Sequence, residues 1–276
     1  VIQVEPTNRC NFDCIMCIRR SWSEVEFTDM NLDLYRKIVD ESRGKITRLD
    51  LYGFGEPLCH PRFSDMVKYA REGLGSEVEL LTVTNGSLLT PKVSEKIVRY
   101  VMNTIVFSID TIDPKKLEEI RGASKPINVI RNLTYLSKAK NKYDLKLGIS
   151  TVLMRSNYMD LPEIVRFAGE NGLDFVFVSH VEVYSDFIMK LAAYSTVSKE
   201  AYNEVVDILP QWPEITRNAA YELLIWAYTG SFTARYYKLL KERWERVSRR
   251  GYALNFPLLM EAMNLIPLIE SIKSKF

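Results

Sequence analysis

Hydrophobic positions in the first 185 residues follow two alternating periods. Short runs dense in Val, Ile, Leu and Phe occur at 1–5, 46–52, 77–84, 104–109, 146–153 and 175–183. Longer segments with apolar residues at helical spacing lie between them, at 31–43, 61–72, 91–102, 128–140 and 161–171. Runs without polar alternation are typical of parallel strands that are covered on both faces. The pattern therefore predicts an α/β fold in which six strands alternate with helices.

The number of strand–helix units decides between a closed and an open barrel. A closed barrel needs eight such units, so the pattern favours a partial (β/α)6-type open barrel, predicted to span residues 1–184. After about residue 185 the rhythm changes, and helices are predicted at 198–209, 214–228 and 233–249. We interpret 185–250 as a helical insertion or cap, and 251–276 as a returning strand followed by a C-terminal helix. In such folds ligands bind at the carboxyl ends of the strands.

Composition and charge narrow the classes of function. The 37 Lys and Arg residues nearly balance the 35 Asp and Glu residues, and a net charge of +2 gives no support for a nucleic-acid partner. No apolar run is long enough to predict a transmembrane segment, and no signal peptide is visible. Only two His residues occur among many Lys, Glu and Ile, a bias similar to that of thermophile proteins.

Three of the four cysteines fall within eight residues, as Cys10, Cys14 and Cys17, directly after the first predicted strand. This distribution favours a metal site in a reducing, cytoplasmic compartment over a disulfide framework. Thiolates favour iron–sulfur clusters or zinc, and a structural zinc site normally takes four protein ligands. Cys59 is more simply interpreted as a buried small side chain. Three ligands on a four-iron cluster leave one iron open to a small molecule, so the spacing favours a catalytic cluster.

Polar segments also end the next three predicted strands. They are Gly53-Phe54-Gly55-Glu56-Pro57, Thr84-Asn85-Gly86 and Ser108-Ile109-Asp110. Glycines allow a backbone to approach a ligand closely, and a carboxylate can accept hydrogen bonds from an ammonium group. Because parallel strands end at one edge of the sheet, we expect these segments to share a site with the cysteines.

The C-x3-C-x2-C loop and the Gly-x-Gly-Glu-Pro segment together resemble the signature of the radical S-adenosylmethionine (SAM) superfamily, over roughly residues 1–185. Phe54 departs from the double glycine of the family motif. The resemblance implies a [4Fe–4S] cluster on Cys10, Cys14 and Cys17, with SAM on the open iron. It also implies reductive cleavage of SAM to methionine and a 5′-deoxyadenosyl radical, which abstracts hydrogen from a substrate.

The resemblance further implies residues that bind the cofactor. Glu56 would face the SAM amino group, Thr84 and Ser108 would help to hold its carboxylate, and Asp110 would lie near the ribose or the substrate. The complete expected set is Met16, Gly53, Gly55, Glu56, Thr84, Asn85, Ser108, Asp110, Arg121 and Thr151. A solvated loop arginine remains the alternative for Arg121, and simple β propensity remains the alternative for Thr151. No side chain is assigned a catalytic role.

The style of the motifs resembles the branch of the family that modifies peptides and proteins or matures cofactors, including archaeal maturases tied to tungsten-containing oxidoreductases. Many members of this branch carry a cysteine-rich C-terminal SPASM domain. No cysteine follows Cys59, so we expect this domain to be absent, lost or not included in this sequence. The expected partners are an external one-electron donor of the ferredoxin or flavodoxin type and a peptide or protein substrate. The alternative is a non-catalytic iron–sulfur or zinc-binding scaffold or electron carrier, which would bind metal without SAM.

Overall fold

Six parallel strands form one sheet in the part of the chain that the computed structural model describes, residues 1–100, 102–122, 126–181 and 191. Each strand pairs with the next one along the chain, in the order β1 to β6. The strands are β1 Ile2–Val4, β2 Arg48–Leu51, β3 Glu79–Thr84, β4 Thr104–Ser108, β5 Lys146–Leu153 and β6 Phe175–His180. This sequential parallel arrangement confirms the predicted α/β fold of the (β/α)6 type, and it brings all the carboxyl ends to one edge.

Six helices connect these strands within the described ranges: α1 Leu32–Ser42, α2 Phe63–Leu74, α3 Pro91–Arg99, α4 Pro114–Arg121, α5 Pro126–Ala139 and α6 Leu161–Glu170. Five of them match predicted segments, with ends shifted by a few residues. The sequence pattern did not predict α4. Its boundaries nevertheless have clear local causes. The side chain of Asp113 caps its first turn by accepting a 2.8 Å hydrogen bond from the Lys116 N–H, and Gly122 ends it in the left-handed conformation.

The core lies between the sheet and the helices that cover it. Fully buried side chains include Leu49 of β2, Leu80 of β3 and Ile105 of β4. On the helical side, the Tyr35 hydroxyl donates a 3.0 Å hydrogen bond to the backbone oxygen of Met66, which joins α1 to α2. Burial raises the pKa of the Tyr35 phenol. Satisfying this hydroxyl internally allows a large aromatic side chain to be buried without leaving a polar atom unpaired.

The chain divides into two compact units, Val1–Leu153 with Asp160–Leu191, and Met154–Met159 with Ala192–Phe276. Of the second unit the structure describes Met154–Met159, a turn in which the Asn157 side chain accepts a 2.7 Å hydrogen bond from the Met154 N–H. The helices predicted at 198–209, 214–228 and 233–249 and the returning strand after residue 251 lie outside the described residues. The domain boundaries at 184 and 250 therefore stay predictions. Within the described ranges, no helix has the length and apolar character needed to cross a membrane.

Candidate active site

The carboxyl edge of the sheet holds a cavity of about 240 Å³. Its described walls come from the segment after β1, the ends of β2, β3 and β4, and the end of α4. The lining residues are Cys10, Phe12, Asp13, Cys14, Met16, Cys17, Arg19, Gly53, Phe54, Gly55, Glu56, Val83, Thr84, Asn85, Ser108 and Arg121. All the site residues predicted from the sequence line this cavity except Asp110 and Thr151.

The three clustered cysteines are half-buried free thiols on one wall of the cavity. A turn brings two of them together, because the Cys17 N–H donates a 3.0 Å hydrogen bond to the Cys14 carbonyl. Burial raises the pKa of Cys14 to about 11, against the opposing effect of the Arg121 cation, and burial also raises the pKa of Cys10. A metal that binds at the Cys10 and Cys14 sulfurs would therefore displace protons at neutral pH.

The end of β3 anchors the first cysteine. The Asn85 side-chain amide donates a 2.9 Å hydrogen bond to Asn11 Oδ1 and lies 3.9 Å from Cys10 Sγ. Asn11 in turn donates a 2.8 Å hydrogen bond to the Ser87 hydroxyl. The cysteine loop is thus tied to the turn after β3 by side-chain amides, a role for Asn11 that the motif did not indicate.

The end of α4 holds the middle of the same loop. The Ile15 N–H donates a 2.9 Å hydrogen bond to the Ile120 carbonyl. Gly122, with φ near +60°, packs against the backbone of Asp13, where an added Cβ would lie 2.9 Å from the carbonyl oxygen. A residue with a side chain would be strained by this φ and crowded by this contact. The helix that the sequence pattern missed is therefore a support of the cysteine segment.

Arg121 ends α4 as a buried residue, so the alternative of a solvated loop arginine is wrong. Its Nε atom pairs with Asp110 Oδ2 at 2.6 Å, and the two side chains are 9% and 0% exposed. The Asp110 carboxylate raises the pKa of Arg121 against the cost of burial. Asp110 lies behind Arg121, where its Oδ1 accepts a 2.7 Å hydrogen bond from the Val152 N–H.

Both glycines of the Gly-x-Gly-Glu segment lie in close contact with the segment that follows β1. Glu5 Oε1, at the end of β1, accepts hydrogen bonds from the Phe54 and Gly55 amides at 2.5 and 3.0 Å. A Cβ on Gly53 would overlap the Glu5 carboxylate, and one on Gly55 would overlap the Thr7 carbonyl oxygen. The sequence suggested that these glycines make room for a ligand. The structure shows that they first make room for the chain segment that follows β1.

Phe54 itself points away from this crowded contact, since its side chain is 52% exposed. Its ring meets the edge of Trp22 at a centroid distance of 5.4 Å. Among the described residues other than glycine, only Asp144 has a positive φ. The backbone of Phe54 is therefore in a conformation that does not require glycine. The departure from the double glycine at this position therefore leaves the local fold undisturbed.

Glu56 joins the end of β2 to the end of β3. Its carboxylate is 2% exposed, and its Oε1 accepts from the Thr84 hydroxyl at 2.6 Å and from the Leu58 N–H at 3.2 Å. Its Oε2 accepts a 2.7 Å hydrogen bond from the Asn85 N–H. Burial raises the pKa of Glu56, and these three hydrogen bonds act in the opposite direction. The Thr84 hydroxyl is thereby directed toward Glu56, while it accepts from the Gly86 N–H at 3.0 Å.

The remaining predicted residues divide into two groups. Ser108 and Met16 line the cavity as half-buried side chains. Thr151 lies in β5 with no exposed surface, and its hydroxyl has no hydrogen-bond partner in the described part of the chain. Asp110 and Thr151 are thus close to the site in the fold without forming its described walls.

Arg19 also lines the cavity, although the motifs did not predict it. It donates a 3.0 Å hydrogen bond to the Asn8 carbonyl.

Comparison with known proteins identifies the family. Residues 4–192, more than half of the chain, match the family model described as the Radical SAM superfamily. The chain belongs to the radical SAM superfamily. Members of this family use a [4Fe–4S] cluster and SAM. The resemblance read from the cysteine and glycine motifs is confirmed.

Two curated relatives of this chain have different named activities. A tungsten-containing aldehyde ferredoxin oxidoreductase cofactor-modifying protein from Pyrococcus furiosus is 30% identical over 187 residues, which are 65% of this chain and 51% of that protein. An AdoMet-dependent heme synthase from Methanosarcina barkeri is 27% identical over 173 residues, 62% of this chain and 48% of that protein. The chain thus spans about half the length of these relatives.

Among solved structures, Streptococcus suis SuiB bound to S-adenosylmethionine has a similar fold, with a TM-score of 0.59 at 18% identity. The match covers 76% of this chain and 47% of SuiB. SuiB has also been solved bound to its precursor peptide SuiA. This likeness supports the radical SAM fold of the chain.

The cavity fits the cofactors of the radical SAM superfamily. Three soft sulfur donors line one wall, a set suited to iron–sulfur ligation. Among the described residues, no three His, Cys, Asp or Glu side chains are placed to chelate a single metal ion. The same cavity is also lined by the Gly-x-Gly segment and by the polar residues Thr84 and Ser108. Soft metal ligands and polar groups for a small zwitterion therefore share one cavity.

Proposed function

We propose that the chain is the core of a radical SAM enzyme in which Cys10, Cys14 and Cys17 ligate a [4Fe–4S] cluster. The observation that carries this proposal is the shared cavity, which places the three thiols beside the polar ends of β2, β3 and β4. A cluster held there and reduced by an external donor would supply one electron for cleavage of SAM to methionine and a 5′-deoxyadenosyl radical, and this radical would abstract a hydrogen atom from the substrate.

The polar walls of the cavity then bind and orient SAM. Ser108 and the backbone at Gly53 and Gly55 offer hydrogen-bonding groups for its amino-acid end. Glu56 Oε2 accepts one hydrogen bond from within the chain, and a carboxylate oxygen can accept two. The second position is suited to an ammonium donor.

Thr84 acts mainly by fixing Glu56, because its hydroxyl donates to that carboxylate. Met16 lies on the cysteine side, where its thioether can pack against adenine.

The substrate class that we propose is a peptide, a protein or a cofactor precursor, as in a maturase. The Pyrococcus furiosus relative is named as a cofactor-modifying protein, and the SuiB fold accepts a precursor peptide, which supports this class. A soluble one-electron donor of the ferredoxin or flavodoxin type would reduce the cluster. A cytoplasmic location is consistent with free thiols at a site that oxygen would damage.

Cleavage of SAM by the anaerobically reconstituted protein tests the proposal. We would add dithionite and SAM to the wild type, Cys14→Ala and Cys59→Ala, and quantify iron and 5′-deoxyadenosine by mass spectrometry. Cys59 is the matched control, since it is a free half-buried thiol that is absent from the described walls of the cavity. We expect product from the wild type and Cys59→Ala, and none from Cys14→Ala.

Two results would contradict the proposal. A wild type that binds about four irons but gives no 5′-deoxyadenosine would favour a non-catalytic iron–sulfur carrier. A wild type that takes up zinc and no iron would favour a zinc scaffold. For the substrate class, deuterated peptide or cofactor-precursor fractions would be screened for transfer of deuterium into 5′-deoxyadenosine. Transfer from neither class would exclude both.

A further inference from the structure

A buried cation lines the same cavity as the three cysteines. The Arg121 guanidinium lines the cavity together with Cys14, and it belongs to a side chain only 9% exposed. Because the carbonyl of the preceding residue, Ile120, binds the Ile15 N–H, the end of α4 and the cysteine loop are held as one unit. The distance between the positive charge and the sulfur is therefore fixed by the fold.

A buried anion stands behind this cation. Asp110 has no exposed surface, pairs with Arg121 Nε at 2.6 Å, and is itself held by the Val152 N–H. Asp110 does not line the described cavity, whereas Arg121 does. The two residues thus present a fixed dipole to the cysteine, with its positive end toward the cavity.

The orientation of this dipole matters for electron uptake. When an external one-electron donor reduces an iron–sulfur cluster, one negative charge is added and no bond forms or breaks. A fixed positive charge in a water-poor site stabilises the reduced form more than the oxidised form, whereas a fixed negative charge does the opposite. Burial weakens screening by solvent and salt, so both effects persist at physiological ionic strength.

We propose that Arg121 and Asp110 set the reduction potential of the cluster bound at Cys10, Cys14 and Cys17. Arg121 raises the potential and Asp110 lowers it, so the ion pair tunes how readily the external donor delivers its electron. The inference rests on the proposed function in one respect, namely that the three cysteines hold the cluster. In this role Arg121 and Asp110 act on the cluster through their charges. Any contact of Arg121 with SAM would be a separate role.

Potentiometric titration of the reconstituted full chain, followed by electron paramagnetic resonance without SAM, tests this inference. We expect Arg121→Met to lower the reduced-to-oxidised ratio at a fixed potential about tenfold, equivalent to a shift of about 59 mV. Arg121→Lys keeps the charge and should shift the midpoint less. Asp110→Asn should shift it in the positive direction. If the substitutions only loosened the cysteine loop, Arg121→Met and Asp110→Asn would both admit solvent. Their midpoint potentials would then shift in the same direction.

Arg48→Met is the matched control. Arg48 pairs with the buried Asp50 at 2.8 Å, but it lies at the start of β2, at the other end of the strand from the cavity. We expect this variant to leave the midpoint unchanged, although it also breaks an ion pair with a buried carboxylate. Should Arg121→Met fail to hold iron, the positive shift in Asp110→Asn and the small shift in Arg121→Lys still decide the question.

Two outcomes would overturn the inference in distinguishable ways. If the wild type and variants bind about four irons but Arg121→Met and Asp110→Asn shift together or not at all, the inference fails and the proposed function stands. If the wild type itself binds no cluster, the proposed function fails, and this inference fails with it.

Discussion

The Oε2 atom of Glu56 accepts a 2.7 Å hydrogen bond from the backbone N–H of Asn85, and it does so at a depth where almost no solvent reaches. The link fixes the end of β3 relative to the end of β2. Since Asn85 also contacts the sulfur of Cys10, a buried carboxylate at the end of one strand indirectly determines where this proposed metal ligand lies. Changes at Glu56 should therefore affect the fold and the metal site together.

Glu56→Gln should lower the free energy of unfolding by about 1–3 kcal/mol. The glutamine amide presents an NH2 donor where the carboxylate accepts from Thr84 and Asn85, so at least one buried donor loses its partner. Urea denaturation of the metal-free protein measures the change. Glu163→Gln, at an exposed position of α6, is the control and should stay within about 0.5 kcal/mol of the wild type. Equal losses in both variants would contradict a special role for Glu56.

The stability of the wild type and the stability of Glu56→Gln should depend differently on pH. Burial raises the pKa of Glu56 in the folded state above its ordinary value, so the folded state holds this proton more tightly than the unfolded state. The contribution of Glu56 to stability is therefore greatest below about pH 4.3, and it declines as the pH rises through the folded pKa. Glu56→Gln lacks this titration. The stability advantage of the wild type over the variant should shrink with rising pH, and an advantage that grows would contradict the stated effect of burial.

Gly55→Ala should disrupt the site far more than an ordinary glycine substitution. The new Cβ would overlap the Thr7 carbonyl and lie 2.7 Å from the Arg9 carbonyl, so the segment after β1 must move. We expect a loss of stability above about 2 kcal/mol and a loss of iron incorporation. Gly169→Ala in α6 meets no atom within 4 Å and should stabilise the protein by about 0.5–1 kcal/mol. Thermal denaturation and iron analysis of both variants check the contrast, which similar behaviour of the two would refute.

Glu5 offers a graded test of the backbone that lines the cavity. Glu5→Ala leaves the Phe54 and Gly55 amides without their acceptor and should cost about 1–3 kcal/mol. Glu5→Gln keeps one carbonyl oxygen and should recover much of this loss. Calorimetric titration of SAM into the reconstituted variants should show weaker binding for Glu5→Ala than for Glu5→Gln. If both variants bind SAM as tightly as the wild type, the conformation of this segment does not depend on Glu5.

Much of the fold follows from the period of the hydrophobic pattern. The strand predicted at 146–153 matches β5 residue for residue, and the other strands lie within their predicted ranges. The helix α4 was missed because most of its eight residues are polar or charged, so it has a weak apolar face. Its Asp113-Pro114 start and its Gly122 end were visible in the sequence. Local signals of this kind indicate a short helix that periodicity cannot detect.

The site was predictable in its membership and less so in its contacts. The motifs correctly grouped the cysteines with Glu56, Thr84 and Ser108, because parallel strands end at one edge. They could not show that the Glu56 carboxylate already binds three donors of the chain, or that Arg121 is buried on Asp110. Such facts depend on the distances between segments that lie far apart in sequence, and no local pattern encodes them.

The support that α4 gives to the cysteine loop has a consequence for biosynthesis. Ile15 leaves the ribosome roughly 100 residues before Ile120, whose carbonyl holds it, and at ordinary elongation rates this interval is on the order of 5–20 s. During that time the thiols sit on a nascent chain whose docking surface has not yet been synthesised. Iron delivery to a finished site must then follow the emergence of α4, and the cell has to keep three neighbouring thiols reduced throughout the delay.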